Sequence, residues 1–355
     1  MMKSLRTAVI GAGWFACENH IPALLERPEV VLDGVCRLGA AELGRVRAHF
    51  GFAFASEDYR AVLQRRPDLV IVASPHAMHF EHARAALEAG AHVLCEKPMT
   101  LDPREAWDLV AIARAQGRAL VIANSYNYLP HLDGLRQRIA EGLIGEIEHV
   151  SCTFVSATRE VFVGTRGLDR WATSFARPDP STWQDPAAGG GFAFGQLSHA
   201  LALMYFMIGL TPRRVSGLVG GSGGVDLANA AVISLSNGAV ASVSGSATLP
   251  QGRRALMRLT VSGSAGVADI DIDGTRCEIF VNGQCETLPL AEGAWTLDSK
   301  APVHAAVDLA LGRGRNLSPG EIGAMTTATI RALLESAAQG GAPQEALAAK
   351  EITPP

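Results

Sequence analysis

A glycine turn beginning at residue 11 restricts what the first third of this chain can become. Thr7-Ala8-Val9-Ile10 is a short apolar strand, and Gly11-Ala12-Gly13-Trp14-Phe15-Ala16 follows it directly. A G-x-G-x-x-A turn joining a first strand to a helix suits a dinucleotide. The first glycine allows the tight turn and the second lets a pyrophosphate approach the backbone. Ala16 allows close helix–strand packing, and the helix N-terminus offers N–H groups and positive potential. The competing reading is a generic glycine turn. Context argues against it: Ile21, Leu24 and Leu25 mark a helix next, and a second strand begins near Val30. Gly11, Gly13, Trp14 and Phe15 are therefore candidate cofactor contacts.

Strands and helices then alternate. Val30 to Cys36 reads as the second strand, residues 40–50 as an amphipathic helix, and residues 52–55 as a short third strand. Ser56 is expected to cap the next helix, with Glu57 and Asp58 in its first turn. Asp68 to Ala73 is a fourth strand, stopped by Ser74-Pro75, and His76 to Ala89 is a helix. Ala91 to Cys95 is a fifth strand that ends abruptly at Glu96-Lys97-Pro98. The ending puts Lys97 at the carboxyl edge of the sheet, where open α/β sheets bind ligands. A partly buried lysine there can exchange a proton, and Pro98 restricts its backbone. A surface lysine before a turn proline is the plainer alternative. Asp102-Pro103-Arg104-Glu105 opens a helix to Gln116, and residues 119–123 form a sixth strand. The alternation predicts a parallel, doubly wound sheet over residues 1–123.

Two side chains on that edge bear on the cofactor. Arg37 follows the second strand, where an NAD-binding fold usually carries a ribose-binding acid. A guanidinium there pairs with a 2′-phosphate and favours NADP, or it points to solvent and leaves NAD usable. His79 either touches the nicotinamide or caps and packs.

The pattern changes after residue 123. Residues 132–139 read as a helix and 146–155 as a strand. A glycine- and proline-rich stretch follows, with Arg159, Arg166, Arg170, Trp171 and Trp183. Gly189-Gly190-Gly191 opens a long apolar helix, about residues 192–207, bearing Gln196 and His199. Asn237-Gly238, Asp273-Gly274 and Asn282-Gly283 each separate alternating apolar runs by two residues, a strong hairpin signal. Residues 124–345 are thus a second α/β domain built on a large, mostly antiparallel sheet. Gly220 to Gly224 reads as a loop between two of its strands. A last helix opens at Ser318-Pro319-Gly320-Glu321, and residues 346–355 form a tail.

Composition bounds the rest. Nearly half of the 355 residues are apolar and the net charge is −4, so no field draws the chain to nucleic acid or an acidic membrane. Six cysteines without a Cys-x-x-Cys pair suggest free buried thiols in a reducing cytoplasm. No metal site is expected. No segment reads as long and apolar enough to span a bilayer. Lys3 and Arg6 before an apolar run ending at Cys17 imitate a signal peptide, but Gly11 and Gly13 break the run.

Three features stand together: the glycine turn, Glu96-Lys97-Pro98 after the fifth strand, and Gly189-Gly190-Gly191 with His199 eight residues on. As a set they resemble the glucose-fructose oxidoreductase / inositol dehydrogenase / MocA (Gfo/Idh/MocA) family. Ala73-Ser74-Pro75-His76-Ala77-Met78-His79 and Ala86-Leu87-Glu88-Ala89-Gly90 are similar to its fourth-strand and helix signatures. The resemblance implies a Rossmann domain followed by an α/β domain whose open sheet makes oligomer contacts, as a dimer or tetramer. It also implies NAD(P)-dependent oxidoreduction of a sugar, sugar acid or cyclitol, and a cis bond into Pro98.

By the same resemblance, Lys97 and His199 are the acid/base residues, and Glu96, Ser74, Pro75, His76 and His79 flank the cofactor. The chain departs from the family at two points. The usual aspartate four residues past the glycine triplet is Gly195, leaving Asp185 or Gln196 to compensate, or Lys97 and His199 to suffice. The usual Pro-Asn pair is Pro75-His76. Trp183, Arg159, Arg166 and Arg170 are expected to line a substrate pocket, although the arginines suit solvated loops or subunit contacts equally well. A histidine in an apolar helix is otherwise a core residue. Two other functions are compatible with the sequence: an NAD-dependent glycosidase working by oxidation and elimination, and a non-catalytic sugar sensor.

Overall fold

The computed structural model of the chain describes residues 4–164, 169, 178–289 and 298–348. Arg166, Arg170, Trp171 and the residues from 349 onward lie outside the described residues. The described chain divides into two compact units. One takes residues 4–125, 169, 178–182 and 298–324, and the other takes 126–164, 183–289 and 325–348.

The first unit is built on six strands: β1 (Leu5–Ile10), β2 (Val30–Cys36), β3 (Phe54–Ser56), β4 (Leu69–Val72), β5 (His92–Cys95) and β6 (Leu120–Ile122). All are parallel, in the order β3-β2-β1-β4-β5-β6. The chain leaves β1 toward one edge and returns beyond it at β4. That reversal parts the connections on either side of β1 and β4, and in such sheets the resulting crevice is the ligand position. The connecting helices are α1 (Ile21–Leu25), which continues a π-helical turn at Ala16–His20, then α2 (Ala40–Phe50), α3 (Tyr59–Leu63), α4 (His79–Glu88) and α5 (Pro103–Gln116). Asp102 caps α5 by accepting from the Arg104 N–H at 2.7 Å. The α3 cap is Asp58 rather than the expected Ser56, because the helix begins two residues later. Asp58 accepts from the Arg60 N–H, while Ser56 Oγ accepts from the Asp58 N–H.

The second unit holds α6 (Leu132–Ala140), β7 (Ile147–Val155), α7 (Arg159–Val163), the second half of a helical turn α8 (Ser181–Gln184) and α9 (Ser198–Ile208). Strands β8 (Pro212–Ser222), β9 (Val225–Leu235), β10 (Val240–Ser246), β11 (Leu256–Gly263), β12 (Gly266–Asp271), β13 (Arg276–Val281) and β14 (Gln284–Thr287) follow. Helix α10 (Ala301–Ala310) belongs to the first unit, and α11 (Gly320–Ala338) begins there and ends in the second. The sequence reading had put residues 298–324 in the second domain. They join the first unit because Val303, Ala306 and Val307 of α10 lie in the same buried cluster as Leu5, Val9 and Ile21. Ser318 also accepts from the Ile122 N–H and the Asn124 amide beside β6.

The nine-stranded sheet of the second unit runs β14-β13-β12-β11-β7-β10-β9-β8-β15, where β15 is Gln344–Glu345. Every neighbouring pair is antiparallel except β7 with β10. The three Asx-Gly dipeptides lie at the β9–β10, β12–β13 and β13–β14 turns, but only the β13–β14 turn is the expected two-residue one; the other two span residues 236–239 and 272–275. Gly220 to Gly224 is not a loop throughout. Gly220 and Gly221 continue β8 and pair with Ala228 and Asp226, and only Gly223 and Gly224, at φ +66° and +86°, make the turn. Gly221 tolerates no side chain because a Cβ would stand 2.2 Å from the Val225 carbonyl oxygen.

By length and composition the helical run Pro186–Ile208 could cross a membrane, contrary to the sequence reading: it has 23 residues, with an 18-residue window at mean hydropathy 1.3. In the fold, 89% of its apolar window is buried. Helix α9 packs on β7, β11 and α6, and Tyr205 bonds Thr329 of α11, so apolar residues are needed all round it.

Candidate active-site residues

The glycine turn after β1 is shaped by contact with the turn after β4. Gly11 has φ +87°, and a Cβ there would lie 2.2 Å from the Ser74 nitrogen. Any larger residue forces the two turns apart. The Gly11 and Ala12 N–H groups both donate to the Cys36 carbonyl at the end of β2. At Gly13 a Cβ would meet only the Gly11 oxygen, at 3.9 Å, so the turn has open space over its second glycine. Space over the second glycine beside a helix start fits a pyrophosphate. Trp14 and Phe15 open that helix, half-buried and edge-to-face at 5.3 Å.

Arg37 folds back onto the same turn. Its Nη1 donates to the Ala12 carbonyl at 3.2 Å and its Nε to the Leu38 carbonyl. It is half-buried.

Lys97 follows β5 on the same carboxyl edge of the sheet, half-buried, and its bond to Pro98 is cis. Burial pushes the Lys97 ammonium below the ordinary lysine range, and the neighbouring Glu96 carboxylate pulls the other way. Glu96 is itself held: Oε1 lies 2.8 Å from His20 Nε2, and Oε2 accepts from the Lys97 N–H at 3.0 Å. Burial would raise the Glu96 carboxyl, but the His20 hydrogen bond, with the charges of His20 and Lys97, keeps it below the usual range. His20 went unnoticed in the sequence because a lone histidine inside a helix reads as core. It is indeed buried, with a function in the core.

Around Ser74 the structure gathers three histidines. His79 Nε2 lies 2.8 Å from the Ser74 carbonyl, and His82 Nδ1 lies 2.9 Å from Ser74 Oγ. The His76 and His79 rings meet at 5.8 Å. His79 Nδ1 lies 2.7 Å from the Pro98 carbonyl. Both its nitrogens are thus engaged by backbone. Pro75 is exposed.

In the second unit the glycine triplet is locked by sterics. A Cβ on Gly190 would stand 2.7 Å from the Trp183 carbonyl oxygen, and one on Gly191 would stand 2.1 Å from Asp226 Oδ1. Asp226 accepts from the Ala193 N–H at 2.7 Å and from Asn229, and so caps the helix start. Burial raises its carboxyl despite those bonds. No sequence motif points to Asp226, which lies in β9, 35 residues past the triplet's last glycine by number. Asp185 is exposed, and its carboxylate accepts from the Ala187 N–H, so it serves as a cap.

His199 is half-buried between two rings of its own unit, edge-on to Tyr126 at 5.7 Å and to Phe154 at 6.3 Å. Burial lifts the Tyr126 phenol to about 12, against the pull of Arg254. Gly195 lies one turn earlier on the helix, and its surroundings explain the departure noted in the sequence. A Cβ there would stand 2.8 Å from the Phe162 ring and 3.7 Å from Trp183. The rings of Phe162 and Trp183, 6.5 Å apart, occupy the place a carboxylate would need. Trp183 and Gln196 are half-buried, and Arg159 is exposed at the start of α7.

Comparison with known proteins agrees with this geometry. Residues 5–124 match the oxidoreductase family with NAD-binding Rossmann fold, and residues 133–269 match the GFO/IDH/MocA C-terminal domain. D-glucoside 3-dehydrogenase of Escherichia coli K12 is 35% identical over 144 residues, 40% of this chain and 41% of the relative. The dTDP-3,4-didehydro-2,6-dideoxy-alpha-D-glucose 3-reductase of Streptomyces antibioticus is 35% identical over 153 residues, 42% of this chain and 46% of the relative. The alignments therefore span less than half of these curated relatives. Among solved structures, levoglucosan dehydrogenase in complex with NADH and L-sorbose superposes at TM-score 0.79, with 19% identity, over 98% of this chain and all of the other. GenD2 from gentamicin A biosynthesis, in complex with NAD, superposes at 0.75 with 23% identity over 98% of each. These two show the fold.

The Gly195 contacts generate a test. Gly195→Asp is expected to destabilise the protein by about 1–3 kcal/mol, the cost of overpacking a filled site. In a Phe162→Ala background the same substitution should cost less, because the ring that blocks it is gone. Urea unfolding of the four proteins of this cycle measures the coupling, and equal costs in both backgrounds would refute it.

Proposed function

The chain belongs to the Gfo/Idh/MocA oxidoreductase family, and we propose that it transfers hydride between a nicotinamide dinucleotide and a secondary alcohol or ketone of a sugar. The observation that carries this reading is Lys97. It is half-buried, its ammonium is weakened by desolvation, and it stands on the same sheet edge as the glycine turn. When bound, the dinucleotide supplies the hydride acceptor or donor. Gly11, Gly13 and the following helix start would hold its pyrophosphate.

Oxidising a secondary alcohol also requires removing the hydroxyl proton, and reducing a ketone requires supplying one. We assign that proton to His199 and the polarisation of the same oxygen to Lys97. A lysine with a lowered pKa is suited to give or share a proton near neutrality. The aspartate usual in the family has no counterpart at Gly195, so this reading rests on two proton-handling residues. The names of the two curated relatives both specify position 3 of a sugar, which supports the ring 3-hydroxyl or 3-ketone as the reacting group. A cytoplasmic setting fits the five buried free cysteines.

Lys97→Ala and His199→Ala are each expected to lower kcat by about 10²–10⁴, the usual cost of a lost acid or base. Dinucleotide affinity should change little, because neither side chain shapes the glycine turn. Steady-state rates on glucosides, 3-ketoglucosides, sugar acids and cyclitols, with fluorescence titration of the cofactor, check both points. Wild-type turnover in either variant would remove that residue from the mechanism.

We propose NADP as the preferred cofactor, on the strength of Arg37. Its guanidinium is held beside the glycine turn, and no acid follows β2 before Glu42. A charge-assisted bond to a 2′-phosphate is worth about 1.5–3 kcal/mol, or roughly one to two decades of preference. Arg37→Asp should reverse the kcat/KM ratio of NADP to NAD. A wild type that prefers NAD would overturn the assignment.

We further propose a homo-oligomer, a dimer or tetramer, built through the open face of the nine-stranded sheet. That face carries Leu218, Val232, Val240 and Phe280, of which Leu218 and Val232 are 60% and 53% exposed. Serines and threonines such as Ser151, Ser242, Ser244 and Thr260 lie between them. Toward one edge the face also carries the Arg258–Asp269–Arg276 ion pairs, and a sheet face with exposed apolar side chains and paired charges suits a second copy of itself. Light scattering should show a multiple of the 37.4 kDa chain, and Val232→Arg should reduce it. A wild-type monomer at micromolar concentration would refute the proposal.

A further inference from the structure

His79 lies at the start of α4 with no solvent exposure. Nδ1 is 2.7 Å from the Pro98 carbonyl oxygen, and Nε2 is 2.8 Å from the Ser74 carbonyl oxygen. A carbonyl oxygen only accepts, so each contact is a hydrogen bond only if the facing nitrogen carries a proton. A neutral imidazole has one N–H. In that state one ring lone pair would face a carbonyl oxygen at hydrogen-bond distance, in a site closed to water. We infer that His79 carries protons on both ring nitrogens in the folded protein, and that the imidazolium is a positioning residue that clamps the turn after Lys97 to the Ser74 turn.

The charges around the ring act in both directions. Burial is the largest effect, favours the neutral ring and carries the balance of these charges below the ordinary histidine range. The two carbonyls and the Glu96 carboxylate favour the charged one, while Lys97 opposes it. On its own helical segment, His76 meets the ring edge at 5.8 Å, and His82 shares Ser74 with it. The geometry decides between these opposing effects, because only the doubly protonated ring satisfies both oxygens. Glu96 then offsets one of the two positive charges in a local group that also contains Lys97.

The clamp has a definite mechanical position. Ser74 already lies against Gly11 so closely that no Cβ fits between them. His79 binds the carbonyl of Ser74 and that of Pro98, the residue after Lys97. On the other side of Lys97, Glu96 is bound by the fully buried His20. The lysine backbone is therefore fixed by histidines from two different helical segments, one acting on each neighbour. The consequence for turnover rests on the assignment of Lys97 as a proton-handling residue. The proton count of His79 does not.

Long-range proton–nitrogen NMR of the full chain, labelled with ¹⁵N-histidine, reads the ring directly, and His79→Gln assigns the signal. Both nitrogens are expected in the protonated range at pH about 7.5. A signal with one protonated and one bare nitrogen overturns the inference. If His79→Gln does not fold, neutron diffraction from wild-type crystals counts the same two deuterons without a substitution.

The positioning role has its own readout. An imidazolium near Lys97 depresses the lysine pKa by like-charge repulsion. His79→Gln should therefore move the kinetic pKa that Lys97→Ala abolishes to higher pH. It should also lower kcat by roughly 10–10²-fold through misplacement, with the KM for the cofactor nearly unchanged. A folded His79→Gln with an unshifted profile and full kcat overturns the positioning role. Full activity in Lys97→Ala would instead refute the lysine assignment and leave the NMR result to judge His79.

Discussion

The first unit depends on an absent atom. Gly11 lacks a Cβ, and the backbone of Ser74 uses the space. Two connections that leave the sheet in opposite directions thereby meet at the carboxyl ends of β1 and β4. Strand order alone opens a crevice at that reversal. The glycine contact brings the two turns together at its base, and the histidines that follow Ser74 bind it there. Through them the effect extends to β5, because the ring that accompanies Ser74 also binds Pro98. Glycine turn, β4 turn and lysine turn form one connected edge, in which each turn is held by the backbone of another or by a buried ring.

Much of this could be read from the residue order. The alternation of short apolar runs with amphipathic segments placed all six parallel strands, since a buried parallel strand is a continuous apolar run. Asx-Gly pairs placed three hairpins; at two of them Gly238 and Asn282-Gly283 take the positive φ of the turn, whereas after Asp273-Gly274 it is Thr275 that takes it. Errors arose where one residue type serves two structures. A glycine run between strands has the composition of a loop, yet at Gly221 the missing side chain is what lets β8 pass close to Val225. A 23-residue apolar helix has the composition of a membrane span, yet a core helix covered on every side needs the same residues.

Site residues were legible where they formed a local motif, as in Glu96-Lys97-Pro98 and Gly189-Gly190-Gly191. Those whose partners are remote in sequence were not. His20 and Glu96 are 76 residues apart, and Asp226 reaches back to Ala193 across 33. Gly195 shows a third case. Its identity as a departure was visible, but its cause, the ring of Phe162 from a separate helix, was not.

The place of β7 in the nine-stranded sheet bears on how that sheet is assembled. The strand is interior, between β10 and β11, and pairs parallel with one and antiparallel with the other. Both partners are made long after it: Val150 waits for Ala241 on one side and Val261 on the other. The remaining strands from β8 to β14 pair mainly with sequence neighbours and close as short hairpins. Two local ribbons, β8-β9-β10 and β11 to β14, can thus form early, and β7 is the seam that joins them. Closing that seam costs the entropy of a loop of about a hundred residues before any reward is gained. Until then an apolar strand with both edges unpaired stays open to other chains, so the slowest step in building this sheet is also its most aggregation-prone moment.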